Sequence, residues 1–203
     1  MNLTLLLLIP MLTALVILTC RDLFSVRWVA FIGSVIQLAL GGMLLVQYNA
    51  ARAAGNTAQM LFESRTSWYA AWNIEYYVGV DGISIAMILL TAFVVAAGVL
   101  ISWKMEVLTK EFFFLLMLLS VGAYGFFISL DLFTMFFFLE IAVLPKFLLI
   151  AIWGSGKKEY SAMKLALMLM AGSALVLIGI LGIYFNTNDG SGHHTFDILK
   201  ISQ

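Results

Sequence analysis

One carboxylate, Glu140, lies in the middle of the most apolar stretch of the chain, between Phe133 and Ile150. An acid at the centre of a membrane helix costs about 2.5 to 3.5 kcal/mol, so such residues persist mainly where they face other helices, water or an ion path. Hydrocarbon disfavours the charged form of a carboxyl group. The position therefore predicts an acid that exchanges a proton. A glutamate that only ties helices together is the alternative.

Two residues shortly after Glu140 bear on that chemistry. Pro145 removes a backbone hydrogen bond and predicts a helix kink, which either frees backbone groups to hold water or serves packing alone. Lys146 lies about 120° from Glu140 around a regular helix, so the two side chains should not share a face unless the kink reorients them. We expect Lys146 to be either a cation in a proton relay or a snorkelling or interhelical partner.

A third candidate, Lys164, lies one turn inside the next apolar segment, after Lys157 and Lys158. We interpret the earlier pair as ordinary cytoplasmic charges of a connecting loop. Lys164 lies deeper, where an amine that faces the other helices can link a central acid to the cytoplasmic side. Glu140 and Lys164 are therefore predicted as the proton-coupling residues, with Lys146 as a weaker candidate.

The composition requires that membrane helices position these residues. Of 203 residues, 63% are hydrophobic and 11% are charged, and the mean hydropathy is +1.05. These values lie far outside the range of soluble domains, so we predict an integral membrane protein. Eleven basic and eleven acidic residues balance, which gives no argument for a nucleic-acid partner. The single cysteine, Cys20, cannot form an internal disulfide.

Apolar runs close to the ~20 residues that span a bilayer predict an all-α membrane fold with about six transmembrane helices. The predicted helices cover residues 3–20, 29–48, 83–103, 112–130, 133–153 and 162–185. The predicted segments are 1–48 with the first two helices, 49–82 as an outer loop, 83–111 with the third helix and a cytoplasmic loop, 112–185 with three helices, and 186–203 as an outer tail. Only Asp131 separates the fourth and fifth helices.

The distribution of basic residues predicts the orientation. Six crossings place seven basic residues on one side, namely Arg21, Arg27, Lys104, Lys110, Lys157, Lys158 and Lys164. The opposite side has three, namely Arg52, Arg65 and Lys200. By the positive-inside rule the side with more basic residues is cytoplasmic, so we expect both termini on the outer side.

Two polar segments on the predicted outer side contain other candidate residues. Residues 49–82 contain clustered aromatics that suit a headgroup-level anchor, although a quinone or sugar site also uses aromatic rings. These aromatics are Trp68, Tyr69, Trp72, Tyr76 and Tyr77. The adjacent His193 and His194 lie near Asp189 and Asp197 but lack the spacing of a metal site, so we expect a solvated loop and no metal.

Several motifs resemble one membrane-protein family. They are Gly79-Val-Asp-Gly-Ile-Ser84, Ser129-Leu-Asp-Leu-Phe133, Phe138-Leu-Glu140, Leu144-Pro145, Trp153-Gly-Ser-Gly-Lys-Lys-Glu-Tyr-Ser-Ala-Met-Lys164 and His194-Thr-Phe-Asp-Ile-Leu199. With them, nearly the whole chain resembles the antiporter-like membrane subunits of respiratory complex I, of the chain M type. The glutamate-centred motif also occurs in multisubunit cation/proton antiporters.

The resemblance implies that Glu140 belongs to a series of buried charges that couples quinone reduction to proton pumping, and that Lys164 matches a family lysine. Many relatives have an apolar residue at the position of Lys146, so no role carries over to it. The resemblance also implies a bacterial inner membrane, no cofactor in this chain, and other membrane-arm subunits and the lipid bilayer as partners, with protons as the only small substrate.

The family fold has about fourteen helices in two inverted repeats, the first of which begins at the fourth helix. On this basis we expect an N-terminal fragment or split subunit that lacks the partner lysine of a broken seventh helix. The alternatives are a subunit of a multisubunit cation/proton antiporter and a truncated structural or assembly piece without transport activity.

Overall fold

Apolar runs form helices here because a helix satisfies its own backbone hydrogen bonds, as a lipid environment requires. A computed structural model describes residues 2–69, 72–187 and 194–202. Its helices are α1 (Leu5–Thr19), α2 (Leu23–Ala53), α3 (Gly82–Ile101), α4 (Thr109–Ile128), α5 (Leu132–Trp153), α6 (Lys158–Asn186) and α7 (Ile198–Ile201). Its strands are β1 (Leu61–Tyr69) and β2 (Ile74–Val80).

The predicted all-α membrane fold is confirmed, with one qualification about length. Five helices, α2 to α6, are long and apolar enough to cross a membrane. Helix α1 has 15 residues and is about 22 Å long, which is less than a typical hydrocarbon core of about 30 Å. Six apolar helices were thus predicted at the right places, and five of them have the full length of a span.

Helix boundaries follow from capping residues at two positions. Asp131 lies between α4 and α5, and its Oδ1 accepts a hydrogen bond of 2.8 Å from the Thr134 N–H. Asp81 accepts one of 2.7 Å from the Ser84 N–H at the start of α3. A carboxylate at this position pairs with an amide that the helix leaves free, so each aspartate fixes where a helix begins. Three residues, 129–131, separate α4 from α5, where the sequence indicated a break at Asp131 alone.

Two predicted boundaries need correction. Helix α2 is longer than predicted, beginning at Leu23 and ending at Ala53. Helix α6 begins at Lys158, whereas the sequence predicts a loop at this residue. The Lys158 ammonium donates a hydrogen bond of 2.6 Å to the Ile152 carbonyl near the end of α5. A cation at the carbonyl end of a helix is favourable, which accounts for the early helix start.

The segment between α2 and α3 contains an antiparallel hairpin of β1 and β2. The strand register changes twice, between Leu61 and Ser64 and between Ser67 and Tyr69. Phe62, next to the first irregularity, has a positive φ of 58°. Sequence reasoning gave an interfacial aromatic segment here and no strands. The side of the molecule that carries this hairpin is referred to below as the hairpin end.

Helix α4 is the centre of the bundle and packs closely against α5. A Cβ on Gly122 would lie 2.8 Å from the Phe138 carbonyl oxygen and 2.8 Å from the Ala142 Cβ. A Cβ on Gly125 would overlap the Phe138 ring. Small residues allow such close approach of membrane helices. This contact fixes which face of α5 is turned toward α4.

Candidate functional site

Glu140 lies on the face of α5 that is turned away from α4. Phe138 and Ala142, which contact α4, are two residues before and after Glu140, and each is therefore about 160° from it around the helix. Asp131 marks the beginning of α5, so Glu140 lies about 13.5 Å further along the helix axis. The glycine contacts of α4 thus determine the direction of this acid.

A groove between α5 and α6 contains the Glu140 carboxyl group. Its volume is about 400 Å³, and it is lined by Glu140, Val143, Leu144, Phe147, Met163, Ala166 and Met170. Every other lining side chain is apolar. The groove therefore offers the carboxyl group no polar contact from its own walls.

One oxygen of Glu140, Oε1, is buried and has no hydrogen-bond partner among the described residues. A buried polar atom without a partner costs roughly 1 to 3 kcal/mol, and more when it is charged. A proton on the carboxyl group, a water molecule or a cation from another polypeptide segment relieves that cost.

Lys146 lies in a different groove, on the other side of α5. This groove of about 190 Å³ separates α4 from α5 and is lined by Leu119, Gly122, Ala123, Phe126, Phe127, Leu139, Ala142 and Lys146. The side chain is exposed within the chain. The structure therefore does not bring Lys146 and Glu140 together, and Pro145 lies within a continuous α5.

Lys164 lies in the second turn of α6 and is also exposed within the chain. It lines a shallow groove with Tyr160, Met163, Leu167, Met168 and Ala171. Met163 lines both this groove and that of Glu140, so the two sites adjoin without direct contact. Within the described part of the chain, the ion pairs all involve Arg65, so neither lysine pairs with Glu140.

Helices α5 and α6 leave large apolar surfaces uncovered. Only Ala162 and Ile180 of α6 are buried. Leu167, Leu175 and Ile178 are each more than 60% exposed. Exposed apolar surface of this extent is expected to contact lipid or other protein segments. The Glu140 groove opens between these two helices, so whatever covers them also controls the surroundings of the acid.

The hairpin end holds a charged cluster that sequence reasoning did not find. Arg65 pairs with Glu75 at 3.0 Å and with Asp197 at 2.5 Å, and its guanidinium lies 4.0 Å from the centre of the Tyr77 ring. Arg65, Glu75 and Asp197 are called the clasp below. Arg65 had been counted only as a basic residue of the outer side, because nothing in the local sequence indicates a partner 132 residues away.

The segment after α6, which the clasp joins to the hairpin, is also hydrogen-bonded to the start of α5. The Leu132 N–H donates to the Phe196 carbonyl at 2.9 Å, and the Ile198 N–H donates to the Leu130 carbonyl at 3.0 Å. Phe196 is fully buried and stacks on Tyr184 of α6 with ring centres 4.2 Å apart. The two motifs that contain these residues, near 130 and near 196, are therefore parts of one structure.

His194 is less exposed than the solvated loop that we expected. His194 is partly buried and its ring lies 5.2 Å from that of Tyr184. Asp197 is buried as well, and its Oδ1 accepts from the Leu199 N–H at the start of α7. His193 and Asp189 lie outside the described residues. Among the residues that the structure describes, no group of three metal-binding side chains occurs.

Burial changes the proton affinity of two groups at the hairpin end. It raises the pKa of Asp131, an effect that the hydrogen bonds from the Thr134 and Glu75 amides only partly offset. It also raises the pKa of Tyr77 to about 12, together with the hydrogen bond that the hydroxyl donates to Glu63. Asp131 therefore combines a capping role with an unfavourable position for a negative charge.

Comparison with known proteins places these features in one group of membrane proteins. Residues 129–202 match the family described as "NADH:quinone oxidoreductase/Mrp antiporter, TM". Subunit M of the F(420)H(2) dehydrogenase of Methanosarcina mazei is 29% identical over 199 residues, which cover 98% of this chain and 39% of that protein. NADH-quinone oxidoreductase subunit M of Rhodobacter capsulatus is 32% identical over 162 residues, 79% of this chain and 30% of that subunit.

Solved structures of large membrane complexes contain the same fold. A chain of respiratory complex I from Thermus thermophilus superposes with a TM-score of 0.81 at 20% identity, over 98% of this chain and 38% of that one. A chain of the Mrp complex from Dietzia superposes with a TM-score of 0.67 at 18% identity. The superposition covers 95% of this chain and 20% of that one. The present chain thus spans about a third of the length of the relatives it matches, and it shares with them a multi-pass membrane fold.

Proposed function

This chain is a member of the antiporter-like membrane subunits of NADH:quinone oxidoreductase and the Mrp antiporters, and on that premise we propose that it is part of a proton-translocating membrane-arm subunit. In this role it couples quinone reduction elsewhere in a large complex to proton transfer through buried charged residues. The observation that carries the proposal is the buried, unpartnered Oε1 of Glu140 in an apolar groove.

Glu140 is suited to bind and release a proton because its surroundings are incomplete within this chain. The apolar groove offers the carboxyl group no polar partner of its own. In the proposed mechanism a cation that approaches from a neighbouring segment stabilises the carboxylate, because an opposite charge within about 4 to 6 Å favours the ionised group. Movement of such a cation toward and away from the groove converts a conformational change into proton release and uptake.

Lys164 is proposed as the second coupling residue, and Lys146 as a weaker candidate. Lys164 adjoins the Glu140 groove across Met163, on the side from which a relay leads toward the basic end of the bundle. Lys146 occupies the α4 side of α5, where it reaches Glu140 only if the surrounding helices change position. A charge at Lys164 that changes its distance from Glu140 is therefore the more direct modulator.

The proposed setting is the inner membrane of a bacterium, with both termini on the outer side as the positive-inside rule predicts. The hairpin end then faces outward, and Lys157, Lys158 and Lys164 lie toward the cytoplasm. The proposed partners are other membrane-arm subunits, which cover the apolar faces of α5 and α6. The chain is proposed to hold no cofactor and to act as a translocase subunit without independent catalysis.

The test replaces Glu140 by glutamine in the assembled complex. Glu140→Gln keeps the size of the side chain and removes its ability to lose a proton. We expect NADH-driven proton pumping by membrane vesicles to fall several-fold, with quinone reduction falling alongside it if the two processes are tightly coupled. Glu159→Gln, at the exposed first turn of α6, is the matched control and should leave both rates unchanged. Wild-type pumping in Glu140→Gln would overturn the proposal.

A second candidate is a subunit of a multisubunit cation/proton antiporter, because the matched family includes both kinds of complex. Neighbouring genes separate the two candidates: dehydrogenase subunits accompany the first and small antiporter subunits the second. A direct measurement is proton movement in vesicles driven either by NADH or by a sodium gradient. Activity with the sodium gradient alone would favour the antiporter.

A further inference from the structure

A pocket at the hairpin end lies between the hairpin, the beginning of α1 and the first turns of α5. Its volume is about 450 Å³, within the usual range of ligand pockets. It is lined by Thr4, Thr66, Ser67, Trp68, Tyr76, Thr134, Phe137 and Phe138. Five of these side chains carry hydroxyl groups on an otherwise mainly apolar wall. The Tyr76 hydroxyl donates to Thr4 Oγ1 and the Thr134 hydroxyl donates to the Glu75 carbonyl, and each hydroxyl oxygen can still accept a hydrogen bond from water.

Phe137 is the residue of this pocket that lies nearest to Glu140. Around an ideal helix, Phe137 is about 60° from Glu140, whereas Thr134 and Phe138 are about 120° and 160° away. Along the axis Phe137 precedes Glu140 by three residues, or about 4.5 Å. Only one turn of α5, at the position of Phe137, thus separates a hydroxyl-lined pocket from the apolar groove of the acid.

Trp68 of the hairpin contacts Phe137 at this position, and both rings are partly exposed within the chain. Their ring centres are 5.4 Å apart and the planes meet at 77°, an edge-to-face contact. Such contacts are favourable for aromatic pairs. Trp68 lies at the second irregularity of the hairpin register, between Ser67 and Tyr69. Three consecutive residues of β1, Thr66 to Trp68, therefore line the pocket, while Arg65 forms the clasp.

We propose that the Trp68–Phe137 contact is a seal that separates the hydrated pocket at the hairpin end from the Glu140 groove. This inference rests on the proposed function, since it assigns to two aromatic residues the task of keeping the proton-exchanging acid out of contact with water on the hairpin side. A carboxyl group that equilibrated with both sides of the membrane would dissipate the gradient that pumping builds. Two apolar rings one turn away from the acid interrupt the chain of polar groups that such a leak requires.

The first experiment measures access to position 140 without relying on pumping. Cys20 is the only cysteine of the chain, so Cys20→Ser with Glu140→Cys leaves one thiol in it, in a complex otherwise freed of reactive cysteines. A membrane-impermeant thiol reagent is added from the hairpin side. We expect Trp68→Ala and Phe137→Ala each to raise the labelling rate about three- to tenfold, the factor by which loss of one aromatic contact shifts an opening equilibrium.

Two further variants identify the cause of any increase. Trp68→Phe retains an aromatic ring and should keep labelling within about twofold of the parent, given the energy of one such pair. Trp72→Ala removes another exposed tryptophan of the same segment that does not line the pocket, and it should have no effect. Equal labelling rates in the parent, Trp68→Ala and Phe137→Ala would overturn the seal. Equal acceleration by Trp72→Ala would overturn it too, since general loosening would then explain the result.

The second experiment measures the proton leak of vesicles that contain the whole complex with Glu140 intact. Phe137→Ala should accelerate the decay of an imposed pH gradient, and adding Glu140→Gln should remove that increase. An unchanged leak in Phe137→Ala would overturn the seal. The proposed function is tested separately by Glu140→Gln alone, and normal pumping in that variant would contradict it. The seal is contradicted by a different result, unchanged labelling of Glu140→Cys, so the two failures can be distinguished.

Discussion

The guanidinium of Arg65 donates a hydrogen bond of 2.5 Å to Oδ2 of Asp197, which lies 132 residues further along the chain. The Asp197 side chain is 6% exposed, whereas the Arg65 side chain is 39% exposed. The hairpin is thereby tied to the segment that follows α6 and, through it, to the beginning of α5. The same end of α5 leads to Glu140.

Removing Arg65 should therefore destabilise the fold more than removing the charge of Asp197. Arg65→Met leaves a buried carboxylate without its cation, and we expect a loss of about 1 to 3 kcal/mol in the free energy of unfolding. Asp197→Asn retains an oxygen that caps α7, so its cost should be smaller. Thermal unfolding in detergent measures both. Arg21→Met, at an exposed position, is the control; a loss equal to that of Arg65→Met would show that the clasp contributes nothing specific.

The α4–α5 contact predicts opposite effects of two glycine-to-alanine changes. Gly122→Ala places a methyl group 2.8 Å from the Phe138 carbonyl oxygen, so the helices must separate, at a cost of about 1 to 3 kcal/mol. Gly42→Ala meets nothing within 4 Å and should be neutral or stabilising by up to about 1 kcal/mol, because alanine is the better helix former. Melting temperatures in detergent compare the two. A stable Gly122→Ala protein would contradict the packing described for α5.

Asp131 predicts a pH dependence of stability. Its pKa is raised in the folded state by burial, so the folded protein holds the proton more tightly than the unfolded chain does. The resulting stabilisation is complete below the unfolded pKa of about 3.9 and is lost as the pH rises through the higher folded value. Asp131→Asn cannot ionise and still provides an oxygen for the cap.

The melting temperature of Asp131→Asn should consequently fall less between acidic and neutral pH than that of the wild type. Asp81→Asn changes the other capping aspartate in the same way and is the matched control. If Asp131→Asn and the wild type showed the same pH dependence, ionisation of Asp131 would not be the cause.

Two tyrosines of similar burial should respond differently to loss of the hydroxyl group. The Tyr124 hydroxyl is buried in α4 and lacks a hydrogen-bond partner among the described residues, although the Gln37 amide faces it. Tyr124→Phe should be neutral or slightly stabilising, because it removes an unsatisfied polar atom. Tyr77→Phe removes the hydrogen bond to Glu63 and should cost about 0.5 to 1.5 kcal/mol. Unfolding in detergent tests this order; a larger loss in Tyr124→Phe would indicate that a water molecule normally binds there.

The membrane-spanning helices could be predicted from the sequence because each one meets the same physical requirement, about twenty apolar residues between polar ends. Glu140 could be predicted as a candidate site because a charged residue within such an apolar run is energetically costly. Asp131 could be recognised as a break and, in retrospect, as a cap, since a carboxylate followed three residues later by a free helical amide is a local pattern.

The hairpin and the clasp could not be found in this way. Trp68, Tyr76 and Tyr77 suit a strand and a membrane interface equally, so their residue types do not distinguish the two. The partners of Arg65 depend on the packing of segments that are distant in sequence. The positions of Lys146 and Lys164 likewise depend on which helices neighbour α5 and α6, and the helical period of one segment carries no information about its neighbours.

The two irregularities in the register of β1 and β2 link the stability of the fold to the tightness of the membrane barrier. Because Arg65 and Trp68 lie on the same short strand, a shift of its pairing register would move both side chains relative to their partners. Such a slip would break the clasp and the Trp68–Phe137 contact in the same step. Insertions or deletions in β1 should therefore affect folding and ion leakage together.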